Sequence, residues 1–199
     1  DEAVALFREA IALSSERDEE GNQSPDLTDA YQTLARLYFQ RERSDEAVST
    51  LKEGIEKTDE PFDLIYLLAQ YLRSTGDEDG ADALMLRAAE KAGEDPTPLL
   101  TLSNLRQSRG DMAGALEAAE LAVEAAPDSE DARLRKAELL IDVGIREQDP
   151  ARSEEGNRIV DAVLAEDPTS ANALFVRAKY QLGTGDQDGA IDTLRQAME

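Results

Sequence analysis

A small residue returns along this chain at a fixed interval, and that interval constrains the fold more than any other feature. Ala47, Ala81 and Ala115 lie 34 residues apart, as do Gly156 and Ala190. Three of these positions are preceded by nearly the same turn: Gly76-Asp77-Glu78-Asp79-Gly80, Gly110-Asp111-Met112-Ala113-Gly114 and Gly185-Asp186-Gln187-Asp188-Gly189. A period of this length is one supersecondary unit copied along the chain, and each copy buries its apolar face against its neighbours. The question of function therefore moves from a catalytic cleft to a repeated surface.

Within each period the apolar spacing is helical. Tyr31, Leu34, Ala35 and Tyr38 follow i, i+3, i+4, i+7, and Ile65, Leu68, Ala69 and Leu72 repeat the pattern one period later. A second helix follows each time, with Ala47, Leu51, Gly54 and Ile55, then Ala81, Met85, Ala88 and Ala89. Glycine in the turn supplies the positive φ that ends a helix, and aspartate caps the next one. Proline stops separate the periods at Glu94-Asp95-Pro96, Ala126-Pro127-Asp128 and Glu166-Asp167-Pro168, with Asp128 or Thr169 placed to start the next helix. The chain is predicted to be all helix, roughly eleven helices in antiparallel pairs, with no strand.

These residues resemble the tetratricopeptide repeat family. Its pattern has bulky apolar residues at positions 4 and 7, a small residue at 8, an aromatic at 11, Ala at 20 and 27, a bulky residue at 24 and Pro at 32. From Thr28 those slots hold Tyr31, Leu34, Ala35, Tyr38, Ala47, Gly54 and Leu51, with Asp59 in the Pro slot; from Phe62 they hold Ile65, Leu68, Ala69, Leu72, Ala81, Ala88 and Met85. Later copies keep Leu99, Leu102, Ser103, Ala115 and Pro127, then Ala137, Leu140, Val160 and Pro168, then Leu174, Ala178, Ala190 and Leu194. The resemblance implies a right-handed α-solenoid forming a single array over 1–199. Its parts are a half repeat over 1–15 and repeats over about 28–61, 62–95, 96–129, 130–170 and 171–199. Small residues sit where helices approach closely. Arg106 replaces the aromatic, Lys136 and Arg177 replace Leu at position 7, and Gly156 replaces Ala at position 20, so looser packing or tilt is expected in the later repeats.

Two insertions break the period, one over about 14–26 (Ser14–Asp26) and one over about 145–151 (Ile145–Ala151). Such insertions enter loops or lengthen helices, and either could add a contact point. The chain opens in mid-repeat at Asp1 and stops at Glu199 before the expected Pro, which suggests a fragment of something longer.

Composition limits the chemistry. The chain has no cysteine and no histidine, which removes thiolate sites, the commonest general base and the commonest transition-metal ligand. The net charge of −23 repels phosphate backbones and argues against nucleic-acid or anionic-membrane partners. It reflects solubility or a salt-rich habitat, or favours a basic partner. No apolar run approaches the roughly 18 residues needed to span a bilayer. Asp77-Glu78-Asp79-Gly80 and Asp186-Gln187-Asp188-Gly189 have acidic spacing, but an EF-hand loop needs Gly at its sixth position, and here Gly falls at the fourth. They read as turns. No phosphate-cradling or nucleophile-elbow motif occurs. No catalytic residue, metal or cofactor is assigned.

In the resembled family, positions 2, 5, 9 and 12 of the first helices line a concave groove. The resemblance implies a partner-binding set of Tyr66, Leu100, Leu134 and Phe175 at position 5, Arg36, Asn104 and Lys179 at position 9, and Phe39 at position 12. An apolar row with a polar rim suits an amphipathic helix or extended peptide; its other reading is packing against neighbouring helices. Chaperone-binding relatives use Lys and Asn to clamp a C-terminal carboxylate; only Asn104 matches. The leading expectation is a non-enzymatic protein-interaction module or scaffold. Its alternatives are a regulatory or substrate-recruiting domain of a larger cell-envelope enzyme, and a scaffold self-associating through its terminal repeats. The chain reads as a soluble, membrane-free protein of a bacterial cytoplasm or periplasm, with the compartment open.

Overall fold

Each Gly-Asp turn is built the same way and sets the hairpins. Gly76, Gly110 and Gly185 have φ of +87°, +85° and +92°, a region that residues with a side chain rarely adopt. The aspartate that follows caps the next helix: the backbone N–H groups of Gly80, Gly114 and Gly189 donate to Oδ1 of Asp77, Asp111 and Asp186 at 2.9, 2.9 and 3.0 Å. A Cβ on any of these second glycines would collide with the capping carboxylate. The repeated Gly-Asp-x-x-Gly thus leaves each capping carboxylate close room over the first turn, although Asp149 caps α9 with Arg152 at the equivalent position.

The helices between repeats start one residue later than the sequence suggests. Ser129 and Ser170 are the caps, accepting from the N–H of Ala132 at 3.3 Å and of Ala173 at 3.1 Å. Thr169 instead donates its N–H and hydroxyl to Oδ1 of Asp167 at 2.9 and 2.7 Å, and Thr97 does the same to Asp95 at 3.0 and 2.6 Å. Each Asp-Pro-Thr turn is therefore tied by its own carboxylate.

The computed structural model describes residues 2–16, 20–24, 26–59 and 61–198. Among them lie eleven helices and no strand: α1 (Glu2–Ser14), α2 (Asp26–Gln40), α3 (Ser44–Lys57), α4 (Phe62–Ser74), α5 (Glu78–Ala92), α6 (Thr97–Ser108), α7 (Met112–Ala125), α8 (Glu130–Glu147), α9 (Pro150–Glu166), α10 (Ala171–Thr184) and α11 (Gln187–Gln196). No helix among the described residues is long and apolar enough to cross a membrane. The chain forms two compact units that meet in sequence at Ala88 and Ala89, within α5.

In the first unit, Leu27, Tyr31, Leu34, Ala35 and Tyr38 of α2 pack with Ala47 and Leu51 of α3 and Leu64 and Leu68 of α4. Gly54 of α3 lets the chains close, since a Cβ there would lie 2.6 Å from Leu64 Cδ1 and 2.8 Å from Tyr31 Cγ. Residues 17–19 and 25 of the insertion over 14–26 lie outside the described residues, as do the repeat ends at 1, 60 and 199. Gln23, inside that insertion, is anchored: its amide donates to the Lys57 carbonyl at 2.7 Å and its carbonyl accepts from the Asp59 N–H at 2.9 Å.

In the second unit, α8 and α9 are the two longest helices among the described residues, at 18 and 17 residues. Residues 145–151 are absorbed largely into extra helical turn on both, with only Gln148 and Asp149 between. Gly156 does not loosen this pair as the sequence suggests. A Cβ there would sit 2.6 Å from the Ala137 carbonyl oxygen and 2.8 Å from Ile141 Cγ1, so α8 and α9 approach more closely than Ala would allow. Arg133 at the start of α8 closes the pair against Glu166 at the end of α9 with two bonds of 2.7 Å, and this holds the Glu166 carboxyl below its usual value.

The other departures from the pattern are compensated. Arg106 donates to the Gly114 carbonyl at 3.0 Å and to Glu117 at 2.9 Å. Lys136 pairs with Glu120 of α7 at 3.3 Å, and Arg177 pairs with Asp161 of α9. In both cases the basic residue on a first helix meets a carboxylate 16 residues earlier on the preceding second helix.

Candidate functional site

The helical period puts positions 2, 5 and 9 of each first helix on one face. In the second unit, α8 and α10 bring these positions together around a depression of about 260 Å3, lined by Asp131, Leu134, Arg135, Glu138, Asn172, Phe175 and Val176. Phe175 is 58% exposed and forms its wall. Leu134 is only 5% exposed and packs with Ala137, Ile141, Val160 and Val176. The expected apolar row is therefore uneven: Phe175 projects, while Leu134 forms the floor and belongs to the core.

A polar ladder runs beside the depression. Arg135 of α8 donates to Ser103 Oγ at 2.9 Å and Gln107 Oε1 at 3.0 Å on α6, and to Glu138 at 3.1 Å on its own helix. Lys179 of α10 returns to α8, donating to Glu138 at 3.0 Å and Asp142 at 2.8 Å. Burial pulls the Lys179 ammonium down, but the Asp142 and Glu138 carboxylates outweigh it and hold the group above its ordinary value. Three first helices are thus tied by charge-assisted hydrogen bonds, the stronger class of such bonds. Lys179 is engaged within the fold.

The remaining sequence-assigned residues fall elsewhere. Leu100 on α6 is half-buried against the cluster of Leu99, Ala122 and Ala132, and Asn104 is exposed on the same helix. Arg36, Phe39 and Tyr66 belong to the first unit. Arg36 is exposed on α2, and Tyr66 is 37% exposed on α4. Phe39 stacks on Tyr71 with ring centroids 4.4 Å apart and planes 23° from parallel, so one face of its ring is covered. The structure therefore joins Leu134 and Phe175 directly, with Lys179 on the adjoining ladder. Asp131, Asn172, Arg135 and Asp142 were not assigned. The signal that could have found the ladder was the pairing of Glu138 and Lys179 at the same position of successive first helices.

The turn carboxylates that resemble cation loops are occupied as helix caps. The cap bond from the Gly114 N–H holds Asp111 below its usual value, with Arg109 adding to the effect.

Comparison with known proteins is consistent with this architecture. The tetratricopeptide repeat family matches residues 33–96. No curated protein matches the sequence. Among solved structures, YrrB, described as a TPR protein with an unusual peptide-binding site, is 16% identical; the match covers 96% of this chain and 90% of YrrB with a TM-score of 0.52. Yeast Tom70 is 20% identical with a TM-score of 0.66, covering 98% of this chain but 39% of Tom70. A tetratricopeptide repeat protein from Parabacteroides merdae ATCC 43184 is 16% identical, covering 98% of this chain and 71% of its own, with a TM-score of 0.60. At these identities the likeness is one of fold. Residues 33–96 are tetratricopeptide repeats by sequence, and the described chain has the tetratricopeptide repeat fold throughout.

Proposed function

We propose that this chain is a non-enzymatic protein-interaction module that binds a partner segment on the faces of its first helices. The observation that carries the reading is the depression between α8 and α10, where an exposed Phe175 stands beside an apolar floor. A protein this heavily charged gains nothing in solubility from an uncovered aromatic ring there, whereas a docked side chain would bury it. YrrB, a structural relative, is described as having a peptide-binding site. Tyr66, with Arg36 and Phe39, is proposed to serve the first unit in the same way, and Leu100 and Asn104 to extend the face of the second.

Leu134 is unsuited to testing this, because its loss would disturb the core. Exposed positions are better. Phe175→Asp and Tyr66→Asp should each keep the helical circular-dichroism spectrum and melt within about 2 °C of the parent, yet reduce capture of the binding partner in pull-downs. Leu13→Asp, which alters a more exposed residue on α1 outside the proposed binding set, should leave capture intact. Capture that survives both face substitutions would overturn the reading.

A further inference from the structure

We propose that the segment seated between α8 and α10 is cationic around a single large apolar side chain. This rests on the groove reading above and adds the chemistry of the occupant. Size comes first. The depression of about 260 Å3 falls just below the range of small-molecule sites, about 300–1,000 Å3. It has room for one large side chain, and its floor of Leu134 and Val176 and wall of Phe175 select an apolar or aromatic one.

Charge then sets the flanks. The cation lining the depression and the one on the adjoining ladder are already engaged: Arg135 with Ser103, Gln107 and Glu138, and Lys179 with Glu138 and Asp142. Neither is available to grip a partner carboxylate without breaking the ties between first helices. Asp131 differs. It is exposed at the lip, and no cation among the described residues pairs with it. Three carboxylates (Asp131, Glu138 and Asp142) stand against two cations, and the surplus negative charge lies where a partner enters. The chain's net charge of −23 acts in the same direction at longer range, speeding the approach of basic partners and slowing acidic ones.

The test uses the full chain and fluorescence anisotropy with three labelled peptides of equal length. One has lysines flanking a central phenylalanine, one has glutamates in place of the lysines, and one keeps the lysines but has a serine at the centre. The lysine peptide with the apolar centre should bind at least about tenfold more tightly than either other. Its affinity should fall as salt rises from about 50 to about 500 mM. Asp131→Lys should weaken it about fivefold and Phe175→Ala about tenfold or more. Binding of the glutamate peptide that is lost in Phe175→Ala would overturn the cationic proposal while leaving the groove reading intact. Binding of both lysine peptides alike, unaffected by Phe175→Ala, would show diffuse attraction to the acidic surface and would sink both readings. Failure of all three peptides to bind would overturn the cationic proposal.

Discussion

In the first unit, the face of α2 and α4 carries a ring stack, Phe39 on Tyr71, and an exposed Arg36 with no hydrogen-bond partner among the described residues. In the second, the equivalent positions of α6, α8 and α10 are joined by Arg135, Glu138, Lys179 and Asp142. Arg36 and Lys179 occupy the same slot of the repeat, yet one faces solvent and the other holds two helices together. The slot fixes where a side chain points, and the neighbouring repeat decides what it does. An identical register can thus yield a surface open to a partner in one unit and an internal brace in the other.

The largest effect should come from the floor of the second unit's depression. Leu134→Asp places an unpaired carboxylate against Ala137, Ile141 and Val160 and should cost about 3–5 kcal/mol, seen as a much lower denaturation midpoint. Tyr66→Asp in the first unit should change it little. Similar losses for both would erase the distinction between floor and rim.

Close approach should give the next effect. Gly156→Ala ordinarily favours a helix by about 1 kcal/mol, but here the new methyl meets the Ala137 carbonyl. We expect a net loss of about 1–3 kcal/mol, and about the same for Ala81→Leu in α5, where a fully buried Ala is enlarged. A stabilised Gly156→Ala would mean the helices separate easily. Removing the brace comes third. Arg135→Ala should cost about 1–2 kcal/mol by chemical denaturation, against less than about 0.5 kcal/mol for Arg36→Ala. Equal effects would show that the ladder contributes nothing.

Acid should give the smallest shift. Lys57 holds the Glu53 carboxyl below its ordinary value, and Arg133 does the same for Glu166. The Asp111 cap and the Asp167 turn are likewise lowered, by the Gly114 N–H and by Thr169. Groups lowered in the folded state stabilise it fully above the ordinary carboxylate range and lose that contribution as pH falls through their folded values. Acid also relieves the repulsion of the net negative charge, which opposes the loss. Melting temperature should hold from neutral pH down to about 5 and decline below about 4. A rise below pH 4 would show that repulsion dominates.

Much of the architecture was legible because the spacing repeats. Helix type, turn chemistry and the close-approach alanines all follow from one period applied to small and apolar residues. What escaped the sequence depends on neighbours outside the period. Leu100, Leu134 and Phe175 share a slot, but their exposure differs with their neighbours: Leu100 meets α7 and α8, Leu134 packs among α8, α9 and α10, and Phe175 stands in the open. Gly156 by pattern alone is a weakened Ala, whereas the Ala137 carbonyl against it makes it a point of close approach. Arg106, Lys136 and Arg177 read as breaks in the pattern, and each proved to have a carboxylate in reach. Ion pairs between helices leave only an offset in the sequence, 16 residues for both Lys136–Glu120 and Arg177–Asp161, and that offset gains meaning once the helices are in place.

The α8–α9 hairpin has a consequence for how the second unit comes together. Nucleating a helix is unfavourable and extending one is not, so a hairpin of 18 and 17 residues with a backbone-to-backbone seam at Gly156 gains most from local contacts alone. In arrays of this kind folding spreads from the most stable repeat to its neighbours. The hairpin is therefore the natural seed of the second unit, with α10 and α11 added to a surface already formed. Changes at the seam should then slow folding, whereas changes in α11 should mainly speed unfolding. The residues that widen the period would also set the order in which it is assembled.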